Sequence, residues 1–207
     1  GINTDTGNTF SDNILDSNVG YGINTDAGDS FTNNTIIGNG LYGIDTDTGN
    51  FFTSNSVTYN GEWGINTDAG DTFTSNVVGN NDGFGINTDT GNFFVSNTVN
   101  NNSSWGINTD AGDTFELNTI EANENFGIDT NTGNTFIENT VSGNSGWGIN
   151  TDSGGSFDTN TILDNSGHGI DTNTGNNFTN NTINVDIEER KEPIQVLPGK
   201  DLLANKK

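Results

Sequence analysis

One 21-residue unit is repeated nine times, without insertion or deletion, over residues 1–189 of this 207-residue chain. The copies open at Gly1, Gly22, Gly43 and onward to Gly169. Each reads Gly-Ile-(Asn/Asp)-Thr-(Asp/Asn)-(Thr/Ala/Ser)-Gly-x-x-Phe-x-x-Asn-x-(Ile/Val/Leu)-x-x-Asn-x-x-aromatic. A short, fixed period of this kind specifies a solenoid, in which every unit packs on its neighbours and none holds a core alone. Composition by itself points elsewhere, because 28% hydrophobic residues and a net charge of −23 are values typical of disorder. The period resolves the conflict. The few apolar residues always recur at the same places in the unit, so stacking adds them into one narrow, continuous core.

Positions are counted here from the Gly that opens each unit. There is no 3.6-residue apolar spacing, and Gly, Asn and Thr are abundant, which argues against helix. Alternation is present instead. In Gly22-Ile23-Asn24-Thr25-Asp26 the Ile and Thr point inward and Asn24 and Asp26 outward. Gly28 supplies a turn, Phe31 faces in on a second short strand, Asn34 sits at a bend, Ile36 faces in on a third strand, and Asn39 marks the last corner. The expected fold is therefore all-β, a parallel β-helix of nine 21-residue coils with three short strands each. At ~4.8 Å per coil it forms a rod of roughly 43 Å. Phe10 to Phe178 make an unbroken Phe ladder, Asn13 to Asn181 an unbroken Asn ladder, and Asn18 to Asn165 a second Asn ladder. A stacked amide both donates and accepts, so such columns satisfy themselves. The sixth and eighth positions also alternate, Thr6/Ala27/Thr48/Ala69 and Asn8/Asp29/Asn50/Asp71, as a duplicated 42-residue unit would.

Charge is segregated. All five basic residues, Arg190, Lys191, Lys200, Lys206 and Lys207, follow the last repeat, whereas the repeats carry 26 of the 28 acidic residues. Such a body repels a phosphate backbone and excludes nucleic acid as a partner. There is no Cys, hence no disulfide or thiol chemistry. No apolar run approaches the ~18 residues of a membrane span, so membrane insertion is not expected. The organisation expected is a β-helix over 1–189 and a basic tail over 190–207. That tail either caps the last coil or docks on the acidic body of another copy, giving self-association end to end or tail to body.

The Asn-Asn-Thr-Ile runs at 33–36 and 180–183, the aromatic-Gly-Ile junctions and the Asn at each bend resemble the right-handed parallel β-helix repeat of the pectate-lyase-like superfamily. The resemblance covers essentially the whole repeat region and implies the right-handed fold. It does not fix a function, since that superfamily includes lyases, hydrolases, epimerases, adhesins, tailspikes and non-catalytic stalks. The enzymes of the superfamily build clefts from long loops, and no coil here has room for one.

Two outward features carry chemistry. The carboxylates of Asp5, Asp26, Asp47, Asp68, Asp89, Asp110 and Asp152 form a row, interrupted by Asn131 and Asn173. Rows of hard oxygen ligands suit calcium, and they equally suit a solvated acidic face. The calcium reading predicts a higher melting temperature in millimolar Ca2+ than in chelator; no other cofactor is required. The aromatic file of Tyr21, Tyr42, Trp63, Phe84, Trp105, Phe126 and Trp147 is placed inward by parity; placed beside a groove, it would serve as a stacking platform for glycans. Asp-Thr-Gly at 5–7, 47–49 and 89–91 resembles an aspartic-protease tripeptide, but it recurs on alternate coils as a turn does. Uronate lyase or epimerase chemistry needs a base and a cation, and the repeats hold no Lys or Arg and a single His168. Paired-carboxylate hydrolysis needs two different environments, whereas a ladder supplies identical ones. The sequence is therefore expected to encode a non-enzymatic structural solenoid at the cell surface or outside the cell: a rigid spacer, adhesin segment or filament-forming subunit. The alternative is a carbohydrate-binding or carbohydrate-processing β-helix. Ice binding is a minor one, resting on the outward Thr file Thr35, Thr98, Thr119, Thr140, Thr161 and Thr182.

Overall fold

The computed structural model describes residues 1–184. These form three parallel sheets of nine strands each, in which every strand pairs with its equivalents one coil before and one coil after. Sheet A runs from Ile2–Asn3 to Ile170–Asp171, sheet B from Thr9–Ser11 to Asn177–Thr179, and sheet C from Ile14–Asp16 to Thr182–Ile183. Register is in phase throughout: Ile65 pairs with Ile86, Phe73 with Phe94 and Val78 with Val99. The all-β coil of three short strands is therefore as expected from the period.

In-phase stacking makes the core. Ile at position 2, Phe at position 10 and Ile or Val at position 15 are buried from Ile23, Phe31 and Ile36 through Ile149, Phe157 and Ile162. Along the Phe ladder, successive rings lie 4.6–4.9 Å apart and within 10° of parallel. In the last coil Phe178 is 38% exposed, because no described rung covers it.

Each coil turns three corners, and each corner is built the same way. One residue takes left-handed backbone and the next points a polar side chain inward. In the fourth coil Gly70 (φ 77), Ser75 (φ 57) and Asn80 (φ 56) are followed by the buried Asp71, Asn76 and Asn81. Positions 13 and 18 carry the Asn ladders read from the sequence. Asn76 donates from its backbone N–H and from Nδ2 to Asn97 Oδ1, at 2.9 and 3.0 Å. A second Nδ2 hydrogen reaches Phe52 O at 2.9 Å. Position 8 is a third buried polar row, which the sequence pattern left unassigned.

Candidate functional site

Sheet A is only two residues wide, so its outer face is bounded closely by the elements on either side. Position 3 occupies the middle, the turn carrying the position-5 carboxylates lies on one flank, and the position-21 aromatic file lies on the other. The proximity is electrostatic as well as geometric. The Tyr42 hydroxyl is pushed above its usual range by burial and then by the Glu62 and Asp45 carboxylates, and the Asp68 carboxyl is raised by burial and by Asp47, Asp89 and Asp45.

The position-3 side chains form a half-buried outer ladder. Asn24 and Asn66 donate to the two oxygens of Asp45 at 3.0 and 2.8 Å, Asn87 donates to Asn66 at 3.0 Å, and Asn108 to Asn87 at 2.7 Å. Asn150 donates to Asp129 at 2.6 Å. Each amide spends one N–H on this ladder. Its second N–H and the spare oxygen lone pairs remain for hydroxyl groups in front of the face.

Parity places the aromatic file in the core, and the structure does not. Tyr21, Tyr42, Trp63, Phe84, Trp105, Phe126 and Trp147 are all half-buried. The reason is the following Gly, whose backbone dips into the rod. A Cβ on Gly64 would stand 2.6 Å from both Gly85 O and Val78 Cγ1. The chain therefore breaks alternation there and turns the preceding ring outward. From Tyr42 to Trp147 the rings stack on one another, at 4.8–4.9 Å except for 6.0 Å between Trp105 and Phe126. Their faces are thus occupied by their neighbours, and the file presents ring edges outward. Tyr21 differs: it is turned 70° from Tyr42 and lines a depression of about 290 Å³ with Asn3, Asn18 and Asn24.

The acidic row at Asp5, Asp26, Asp47, Asp68, Asp89 and Asp110 is exposed, with Asp152 half-buried. Among the described residues, no three His, Cys, Asp or Glu side chains converge. In the Thr file, Thr98, Thr119, Thr140, Thr161 and Thr182 pair in register on sheet C, but the outward residues two positions on include Glu121 and Leu163. Arg190, Lys191, Lys200, Lys206 and Lys207, and with them the cap or docking tail, lie outside the described residues. No helix among the described residues is long and apolar enough to cross a membrane. Sequence reasoning missed the buried acids at position 8, Asp29, Asp71 and Asp113. Their signal was the strict Asn/Asp alternation itself.

The pattern describing a right handed beta helix region matches residues 1–145. No curated protein sequence matches the chain. Among solved structures, the periplasmic alginate epimerase AlgG superimposes with a TM-score of 0.71 at 17% identity, over 80% of this chain and 48% of that one. The A-module of the Azotobacter vinelandii mannuronan C-5 epimerase AlgE6 gives 0.57 at 15% identity, over 80% of this chain and 64% of that one. The AlgE4 A-module from the same organism gives 0.54 at 12%, over 86% and 76%. The chain thus spans about half the length of AlgG. These likenesses correct the expectation of a non-enzymatic chain. Coils of this architecture occur in alginate and mannuronan epimerases. Regularity was therefore no ground for excluding an enzyme.

Proposed function

The chain belongs to the right-handed β-helix family, and from that premise we propose that the outer face of sheet A takes an extended polysaccharide lying along the rod. The observation that carries this reading is the outer ladder, which offers an amide in most coils and a carboxylate at Asp45, Asp129 and Asp171, beside a continuous aromatic edge. A sugar polymer is the ligand class that presents hydroxyls repeatedly along one line, and alginate and mannuronan, on which the epimerases of like fold act, are such polymers. The charge of this face narrows the choice. Asp45, Asp47, Asp68 and Asp89 already repel one another, and no Lys or Arg precedes residue 190. An uncharged polysaccharide therefore suits the face better than a uronate. A location outside the cytoplasm belongs to the same proposal, in keeping with the periplasmic AlgG.

The test is affinity electrophoresis of the full chain against a neutral glucan, a neutral mannan and alginate, with Asn66→Ala/Asn87→Ala/Asn108→Ala as the variant. At about 1 kcal/mol per hydrogen bond, the triple variant loses roughly 100-fold in affinity. Retention on alginate alone, or binding untouched by the triple substitution, refutes the reading. Sugar configuration and chain length in the same mixtures, followed by NMR, show whether binding leads to turnover.

A further inference from the structure

The fully buried carboxylates among the described residues are Asp29, Asp71 and Asp113, at 0, 0 and 1% exposure. All three occupy position 8, on alternate coils, between Asn8, Asn50, Asn92 and Asn134. Their hydrogen bonds do not balance if they are ionised. The Thr at position 4 donates its hydroxyl to the position-5 carbonyl of the coil before: Thr25 to Asp5 at 2.6 Å, Thr130 to Asp110 at 2.5 Å, Thr151 to Asn131 at 2.6 Å, and likewise Thr46, Thr67, Thr88, Thr109 and Thr172. The contact is made whether position 8 is Asp, Asn or, beside Thr151, Gly155. A hydroxyl has one proton to give.

Yet in the three Asp coils a carboxyl Oδ2 sits 2.8 Å from that same hydroxyl oxygen, on Thr25, Thr67 and Thr109. Two Asn coils place an amide donor there, Asn134 Nδ2 to Thr130 Oγ1 at 2.9 Å and Asn176 Nδ2 to Thr172 Oγ1 at 2.6 Å, while Asn50 and Asn92 donate to Thr67 and Thr109 of the next coil at 3.3 and 3.4 Å. The Thr oxygen is the acceptor. The other carboxyl oxygen behaves as an amide carbonyl does. Asp71 Oδ1 accepts from Asn50 N and Nδ2 at 2.7 and 3.1 Å, and Asp113 Oδ1 from Asn92 N and Nδ2 at 2.7 and 3.0 Å.

We propose that Asp71 and Asp113 are held in the folded rod as neutral carboxylic acids, each imitating Asn by donating Oδ2–H to its Thr, and that their ionisation loosens the coils as pH rises. Burial pushes Asp71 and Asp113 up to about 6, against the lowering effect of the bonds donated by Asn50 and Asn92. The charged neighbours act in the same direction as burial: Asp68 faces Asp71 and Asp110 faces Asp113. Asp47 and Asp89 contribute backbone carbonyls, and no Lys or Arg lies within the coils to counter them. Because the folded pKa lies above the unfolded 3.8, the folded state holds more protons between the two values. The stability these acids lend is complete below about pH 4 and is lost as pH rises through about 6. Two pKa units correspond to about 100-fold in the unfolding equilibrium constant for each of Asp71 and Asp113.

The experiment compares the full chain, the variant Asp71→Asn/Asp113→Asn, and the control Asp5→Asn/Asp26→Asn, which removes the same charge from the exposed row at positions that do not act on Asp71 or Asp113. Both substitutions place residues that other coils already carry at those positions, so both variants fold. Denaturant unfolding at about pH 4.5 and about pH 8 should show the native chain losing stability across that interval. The control should follow it, and the position-8 variant should lose about 100-fold less for each of its two sites. Infrared spectra at about pH 5 should show a stronger carboxylic-acid carbonyl stretch in the native chain than in the position-8 variant. Parallel pH dependence of the two variants, or equal stretches in the native chain and the position-8 variant, overturns the proposal.

Discussion

Removing a single amide from the middle of the position-13 ladder tests how the rod is held together, because that ladder has a direction. Each rung donates backbone N–H and Nδ2–H to the Oδ1 of the next rung. In Asn97→Ala the backbone N–H of residue 97 keeps its acceptor, Asn118 Oδ1 at 2.9 Å. What is lost is Asn97 Oδ1, which accepted from Asn76 N and Nδ2 at 2.9 and 3.0 Å, and Asn97 Nδ2, which donated to Phe73 O and Asn118 Oδ1 at 2.9 and 3.0 Å. Two donors of Asn76, itself 0% exposed, and one lone pair of Phe73 O are left facing a cavity. At about 1–3 kcal/mol per orphaned buried group, and with some relaxation, the expected cost is about 3–6 kcal/mol. The control is Asn13→Ala at the first rung of this chain. Asn13 Nδ2 donates to Asn34 at 3.0 Å and serves no earlier rung, so about 1 kcal/mol is expected. Denaturant unfolding gives the totals and hydrogen exchange gives the direction: protection falls at the Asn76 amide and is kept at the Asn118 amide. Equal costs for the two variants, or protection lost equally on both sides of residue 97, would refute the directional ladder.

Other expectations follow from the same geometry. Trp105 Nε1 is buried without an acceptor, and Phe already occupies this slot at Phe84 and Phe126. Trp105→Phe should therefore hold stability or raise it by up to about 1 kcal/mol in denaturant unfolding, and a loss beyond about 2 kcal/mol would contradict this. Leu117 sits 48% exposed at a left-handed corner with φ 57, where Asn33 and Asn180 stand in other coils. Leu117→Asn should stabilise by about 1 kcal/mol, read as a shift in unfolding midpoint at constant slope. With no cluster of three ligands among the described residues, Ca2+ and Mg2+ at equal millimolar concentration should raise the melting temperature equally, by screening the acidic row. A rise specific to Ca2+ would support a calcium site along the acidic row.

The core was legible in the sequence because stacking in register turns repetition along the chain into contact in space. Ile23, Phe31 and Ile36 face in as their spacing says, and so do Asn34 and Asn39. The aromatic file was not legible by counting. Alternation holds only while the backbone is extended, and the buried Gly after each ring breaks it. The alternation of Asn50, Asp71, Asn92 and Asp113 was visible, but its burial was not. Asp after a Gly turn ordinarily faces water, and only the hydrogen bonds to Thr67 and Thr109 show otherwise. The enzyme question was misjudged for a different reason. Uniform coils were taken to mean uniform chemistry, which is a statement about the average coil and not about the exceptions.

Those exceptions cluster. The Asp row at position 5 is broken at Asn131, whose Nδ2 donates to Asp110 at 3.1 Å, and at Asn173, whose Nδ2 donates to Asp152 at 2.9 Å. In the coil of Asn131, Asp129 stands where most coils carry the Asn of the outer ladder, as Asp45 and Asp171 do elsewhere. Its carboxyl is raised by burial and by Asp152, and is held back by the hydrogen bond from Asn150. Coils six to eight therefore contain carboxyl groups in different environments a coil apart, with Asp110 and Asp152 each capped by an amide and Asp129 desolvated. Identical rungs cannot divide the roles of acid and base, and rungs made unequal can. His168 ends the aromatic file on the same side, tilted 40° against Trp147. The proposed binding face is thus chemically differentiated over coils six to eight, and any turnover detected in the polysaccharide assay is expected there first.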